Sequence, residues 1–352
     1  MIEVLCNIFL FTHWFNNQNH RLKKKGDKQI NKRDLIFISA LVIFRRKIKP
    51  HTTLNIKTWI AAARLRTLPL AFSVILMGAA LAHAKSAFSL PILVLSLLTT
   101  LFLQILSNYA NDLGDSQHGA DNAHRKGEKR AVQSGLISQK QMLSGVVVMS
   151  VLALASGVGL LQYTFGTFNA RFLGFLILGL VCIGAAIKYT AGKNPYGYMG
   201  LGDISVFLFF GLVGVLGSYF LHTKSFEVAI LLPAYACGVF SVAVLNLNNM
   251  RDILPDTMAG KKTIPMRIGY EKAKIYHLFL MFSGLLAGVL YLLLMGKWWQ
   301  SVCLVPSIQV FSSLVIKPLM GSNASENIDP LLKKMALGTL LFVVCFAVAV
   351  NL

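Results

Sequence analysis

Nine apolar runs decide what this chain can become. They lie at about 68–84, 90–110, 143–163, 171–191, 204–222, 226–247, 275–296, 298–316 and 335–352. Most approach the roughly 20 residues that a helix needs to cross a bilayer. Several carry Gly or Pro, which membrane helices tolerate because neighbouring helices satisfy the freed backbone groups. Only 14% of the residues are charged, where an ordinary soluble chain carries about a quarter. A soluble helical core does not account for nine such runs. The expectation is an all-α, polytopic membrane protein whose first partner is the lipid bilayer.

Charge orients the runs. With the N-terminus inside, loops 111–142, 192–203, 248–274 and 317–334 face the cytoplasm and hold fifteen Lys or Arg. The opposite loops hold Lys85, Arg171, Lys224 and Lys297. That asymmetry obeys the positive-inside rule. Cytoplasmic loops of membrane proteins are basic in any case, so the net charge of +20 does not call for a nucleic-acid partner. Residues 1–53 differ from the rest. They carry eleven Lys or Arg against three acids, and their two apolar runs, 1–11 and 35–44, are too short to span. No small-residue cleavage site follows the first run, so a signal peptide fits poorly. The expected division is a basic extension over 1–53, disordered or lying on anionic lipid, ahead of a transmembrane domain over 54–352. Cys6, Cys182, Cys237, Cys303 and Cys345 form no C-x-x-C pair. Small apolar fillers are the simpler reading of them.

The chemistry gathers at the ends of two apolar runs. The run 90–106 leads into N-Y-A-N-D-L-G-D-S-Q-H-G-A-D-N, with Asn111, Asp112, Asp115 and Asp121. Asp112 and Asp115 share a face if the helix continues. Arg125, Lys126, Lys129 and Arg130 follow. The second stretch is N-L-N-N-M-R-D-I-L-P-D, with Asp252 and Asp256, followed by Lys261, Lys262 and Arg267. Aspartates at such places can be helix caps or solvated loop charges. Acids at helix C-termini are electrostatically disfavoured, however, so two such clusters ask for a cation. Mg²⁺ takes oxygen ligands and is often shared between one or two carboxylates and substrate phosphates. The basic residues after each cluster would hold the remaining phosphate oxygens. His118 and His124 have no partner spacing for zinc and are read as loop histidines.

Three further features bear on the site. Arg64 and Arg66 precede the first run; they either snorkel to headgroups or contact an anionic substrate. The Gly-rich loop Y-T-A-G-K-N-P-Y-G-Y-M-G-L-G-D contains Tyr189 and Lys193. It closes on Asp203, which opens the fifth run, where a charge is costly and usually functional. There is also a coarse internal repeat. Runs one and two lead to the first acidic stretch, and runs five and six to the second, each with Asn ahead of Asp. Two similar four-helix halves around a central cavity are expected.

Together these motifs, with K-R-A-V-Q-S-G-L-I-S and P-D-T-M-A-G-K-K-T-I-P-M-R-I-G, resemble the UbiA superfamily of intramembrane aromatic prenyltransferases. The resemblance spans about 57–352 and is nearest to the menaquinone-pathway branch that uses 1,4-dihydroxy-2-naphthoate. It implies nine transmembrane helices around a cavity. It implies Mg²⁺-dependent transfer of a polyprenyl group from polyprenyl diphosphate to the naphthoate, with loss of CO₂ and diphosphate. It places one Mg²⁺ on Asn111, Asp112 and Asp115, and the other on Asp252 and Asp256. Asp121 stands two residues beyond the last Asp of the broad family pattern, a spacing that resembles the naphthoate branch, and is counted with the metal ligands. Lys193 of Tyr189-x-x-x-Lys193 matches a diphosphate-binding lysine, with Lys129, Arg130 and Arg267 as further diphosphate candidates. Asp203 and Arg64 complete the expected substrate-binding set. The branch also implies the cytoplasmic membrane of a bacterium, with the active-site loops inside. Other readings are prenylation of another acceptor, such as 4-hydroxybenzoate, and a Mg²⁺- or phosphate-coupled transporter.

Overall fold

The computed structural model describes residues 55–118, 130–321 and 328–352. Expectations for residues 1–53, Asp121, His124 and Lys129 lie outside these. Among the described residues there is no strand, and nine helices are long and apolar enough to cross a membrane. They are α1 (Ile56–His83), α2 (Leu90–Gln117), α3 (Gln139–Phe165), α4 (Ala170–Lys188), α5 (Gly202–Thr223), α6 (Val228–Arg251), α7 (Tyr270–Leu294), α8 (Trp299–Met320) and α9 (Ile328–Asn351).

The expected repeat is visible in the packing. α2 packs on α1 and α3 much as α6 packs on α5 and α7, and α9 closes against α1, α6 and α8. The core of the second half rests on phenylalanine rings set over glycines. Phe240 lies 4.9 Å from Phe342 and 5.1 Å from Phe311, ring centre to ring centre. A Cβ on Gly284, Gly288 or Gly338 would run into one of these three rings. Close approach across small residues is how membrane helices associate when lipid is as apolar as their side chains. The apolar residues left exposed, such as Val147 and Val151 on α3 and Ile177 and Val181 on α4, are the faces a bilayer would cover.

The helices run further than the apolar stretches suggest, and this positions the site. α2 continues seven residues past 110, carrying the first acidic motif on its last turns. α6 likewise runs to Arg251. α1 begins at Asn55, whose side chain accepts from Lys57 N–H. It breaks at Arg64, which sits at φ 49° in the left-handed region, and resumes at Leu68. Two segments widen to π geometry, Phe207–Leu216 in α5 and Phe311–Ile316 in α8. Such widening often accompanies function, and here the α5 segment lines a cavity.

Candidate functional site

The last three turns of α2 carry Asn108, Asn111, Asp112 and Asp115. Asn108 is buried, and its amide donates to Ala63 O at 2.8 Å and Thr67 Oγ1 at 3.3 Å, pinning the break in α1. Asn111 accepts from Thr190 Oγ1 at 3.0 Å. The two aspartates then diverge. Asp112 accepts backbone N–H groups of Ala131 and Val132 at 3.1 and 3.3 Å, so it ties the returning loop to the helix. Asp115 accepts from Tyr198 Oη at 2.6 Å and pairs with Arg130 and, at 3.4 Å, with Lys261.

The second acidic stretch divides in the same way. Arg251 clasps Asp252 with two hydrogen bonds, 2.9 and 2.6 Å, and also pairs with Asp329 at the start of α9. A bidentate guanidinium of this kind is both strong and directional. Asp256, on the short helix Ile253–Met258, instead meets Lys261 Nζ at 3.0 Å. Burial pushes the Asp256 carboxyl up, an effect that Lys261 partly offsets. Burial, with Asp115 second, raises the Tyr198 phenol, whose hydroxyl donates to Asp115.

Three loops therefore converge on Asp115. Lys262 N–H donates to Tyr198 O at 3.0 Å, and Arg267 donates to Met199 O at 3.3 Å, tying the α4–α5 loop to the α6–α7 loop. Gly200 takes φ +87° at that junction, a conformation that favours glycine, and a Cβ there would strike Lys262 O. Under the loops is a polar chamber of about 240 Å³. Asp115, Arg130, Lys261, Arg251, Arg64 and Arg66 contribute its charges, with Lys333 from α9. A second cavity of about 400 Å³ adjoins it, lined by apolar side chains of α1 to α5. Asn111, Tyr189, Val206, Phe210 and Leu245 line both spaces.

Asn111, Asp115, Arg130, Tyr189 and Arg64 are thus brought together at the chamber. Asp112, Asp252 and Asp256 flank it without lining it. Asp203 is buried, but it accepts from Tyr276 Oη at 3.0 Å and joins α5 to α7. Lys193 and Arg267 are exposed on their loops and do not line the chamber. Lys261, read from the sequence as one of the basic residues that follow the second acidic stretch, and Arg66, read together with Arg64, also line the chamber. Tyr198, Arg251 and Lys333 were not singled out from the sequence. Among the described residues no three His, Cys, Asp or Glu side chains gather as a ready metal cluster.

The model of the UbiA prenyltransferase family matches residues 71–317. The chain belongs to the UbiA prenyltransferase family. The 1,4-dihydroxy-2-naphthoate octaprenyltransferase of Haemophilus influenzae is 40% identical over 295 residues, 83% of this chain and 95% of the relative. That of Escherichia coli is 40% identical over 290 residues, 82% and 94%. An apo UbiA homologue from Aeropyrum pernix K1 superposes with a TM-score of 0.60 at 18% identity, covering 79% of this chain and 96% of that one. A UbiA homologue from Archaeoglobus fulgidus, bound to GPP and Mg²⁺, gives 0.57 at 19%, covering 82% and 99%. At these identities the structures establish the UbiA fold, a multi-pass helical membrane protein.

Proposed function

We infer that this UbiA-family protein transfers a polyprenyl group from polyprenyl diphosphate to 1,4-dihydroxy-2-naphthoate, releasing diphosphate and CO₂ and giving demethylmenaquinol, the reduced form of demethylmenaquinone. One observation carries the reading. A small chamber rich in charge adjoins a larger apolar cavity, and five residues line both. That pairing suits a ligand with an anionic head and a long hydrocarbon tail. The naphthoate acceptor is proposed from the relatives that share 40% of their residues with this chain.

The donor set fits Mg²⁺. Asp115 and Asp256 offer carboxylate oxygens from opposite halves, close enough to share one ammonium, that of Lys261. Hard oxygen ligands from one or two carboxylates, completed by phosphate, are what Mg²⁺ prefers. Bound there, it would neutralise the charge that grows on the departing diphosphate. Arg130 and Lys261 would pair with the remaining phosphate oxygens. Lys193 and Arg267, on the loops that carry Tyr198 and Lys261, add positive potential near the diphosphate. Asn111 and Tyr189, which line both spaces, would set the head beside the apolar cavity. The tail would occupy that cavity, where water is excluded and an allylic cation survives long enough to be captured. The C1–O bond to diphosphate breaks first, and the carboxyl-bearing ring carbon then forms the new bond to the prenyl C1. The carboxyl group leaves as CO₂, and its C–C electron pair restores the aromatic ring. Arg64 and Arg66 are placed to receive the naphthoate carboxylate before that step.

The charge asymmetry of the loops supports a bacterial cytoplasmic membrane, with the chamber on the cytoplasmic side. The test is product analysis. Membranes containing the protein receive a polyprenyl diphosphate with either 1,4-dihydroxy-2-naphthoate or 4-hydroxybenzoate, with and without chelator. A prenylated naphthoquinol that disappears on chelation is expected. A prenylated benzoate as the main product would reassign the acceptor.

A further inference from the structure

Lys261 stands where the two acidic segments meet. It leaves the turn after Ile253–Met258, where Gly260 has φ +70° and Lys261 N–H closes onto Asp256 O at 3.0 Å. Its ammonium is held on three sides. Asp256 Oδ1 lies at 3.0 Å, Asp115 Oδ1 at 3.4 Å, and the centre of the Tyr198 ring at 4.8 Å. Tyr198 is fixed in turn by its 2.6 Å hydrogen bond to Asp115. Lys261 lines the chamber and Asp256 does not. The side chain therefore bridges the two halves and stands between Asp256 and the chamber.

Asp115 and Asp256 are 1% and 5% exposed. Buried carboxylates this close repel unless a cation lies between them. In the metal-free protein Lys261 supplies that cation. Its three N–H donors and its positive charge exclude a divalent ion from the same gap. Any metal that draws on Asp115 and Asp256 together must displace the ammonium, and the displaced ammonium needs a new acceptor. Diphosphate in the chamber offers several.

We propose that Lys261 is a built-in counter-cation that occupies the gap between Asp115 and Asp256 until a diphosphate arrives to receive its ammonium, so that metal and diphosphate bind in concert. Lys261 is a positioning residue in this role. The proposal rests on the reading of the chamber as a metal–diphosphate site. It follows by linkage that diphosphate must tighten metal binding by the same factor as metal tightens diphosphate binding.

The experiment is equilibrium dialysis of radioactive Mn²⁺ against the purified full chain in detergent. It is run with and without inorganic diphosphate at equal activity on both sides. For the native protein, diphosphate is expected to tighten Mn²⁺ binding by about tenfold or more, within the usual span of coupling. Lys261→Met should bind Mn²⁺ tightly without diphosphate and lose most of the enhancement, while Lys261→Arg keeps it. If the native protein shows the enhancement and Lys261→Met binds Mn²⁺ no more tightly alone, the counter-cation role is overturned and the chamber reading survives. If the native protein binds no Mn²⁺ even with diphosphate, the chamber reading falls, and this proposal with it. Should Lys261→Met be too unstable to dialyse, its melting temperature decides. A larger rise with Mn²⁺ than in the native protein supports the role, and an equal rise overturns it.

Discussion

Asp112 and Asp115 are three residues apart on one helix and do different work. Asp112 accepts two backbone N–H groups of the returning loop, while Asp115 receives Tyr198, Arg130 and Lys261. Nothing local distinguishes them. The backbone amides that claim Asp112 come from residues 131 and 132, and Tyr198 comes from a different loop. The sequence marks both as carboxylates at the end of a span, but which one faces the chamber depends on contacts far along the chain. Asp203 teaches the same lesson from the other side. A charge opening a span suggests a site, yet its partner is Tyr276 on α7. Tyr198 gives the residue-scale prediction. Its hydroxyl makes a charge-assisted hydrogen bond to Asp115, a contact that contributes about 1.5–3 kcal/mol. Tyr198→Phe should therefore lower kcat/KM for the prenyl diphosphate by about one to two orders of magnitude. A rate within twofold of the native protein would remove this hydrogen bond from the account.

At the scale of elements, the decisive fact is where α2 ends. Hydropathy stops it near 110, because Asn, Asp and Gly follow. Tertiary contact carries it to Gln117. Gly114 shows why the helix can approach the α4–α5 loop at all. A Cβ on it would collide with the backbone of Thr190, the residue whose hydroxyl bonds Ala110 O and Asn111. Gly114→Val should separate α2 from that loop, at the 1–3 kcal/mol or so typical of overpacking. The measurement is thermal unfolding of the detergent-solubilised protein, with prenyl transfer assayed on the folded fraction. A lower melting temperature with loss of transfer is expected, and an unchanged melting temperature would contradict the close contact. The π segments of α5 and α8 had no sequence signal, since their composition is that of any apolar helix.

For the molecule as a whole, the nine spans, their order and the two acidic ends were legible, because the bilayer sets helix length and charge sets orientation. The apolar cavity was not. Its volume of about 400 Å³ is what remains after five helices pack, and no single span reveals it. The basic extension belongs to this scale too. We propose that catalysis resides in 54–352, since 295 residues of this chain already account for 95% of the Haemophilus influenzae relative. A protein lacking residues 2–53 should keep its specific activity per molecule in purified membranes, even if the yield falls. A severalfold drop in the normalised rate would place the extension in the working enzyme. We propose that metal-dependent prenyl transfer to the naphthoate depends on Asp115, which lines the chamber. Mass spectrometry of the product tests it most directly, using purified protein, polyprenyl diphosphate, Mg²⁺ and naphthoate labelled in its carboxyl carbon. Demethylmenaquinol without the label, recovered as demethylmenaquinone after oxidation in air, with one labelled CO₂ per prenyl transferred, is expected from the native protein, and almost none from Asp115→Asn. Equal product from Asp115→Asn, or a prenylated product that retains the label, would contradict it.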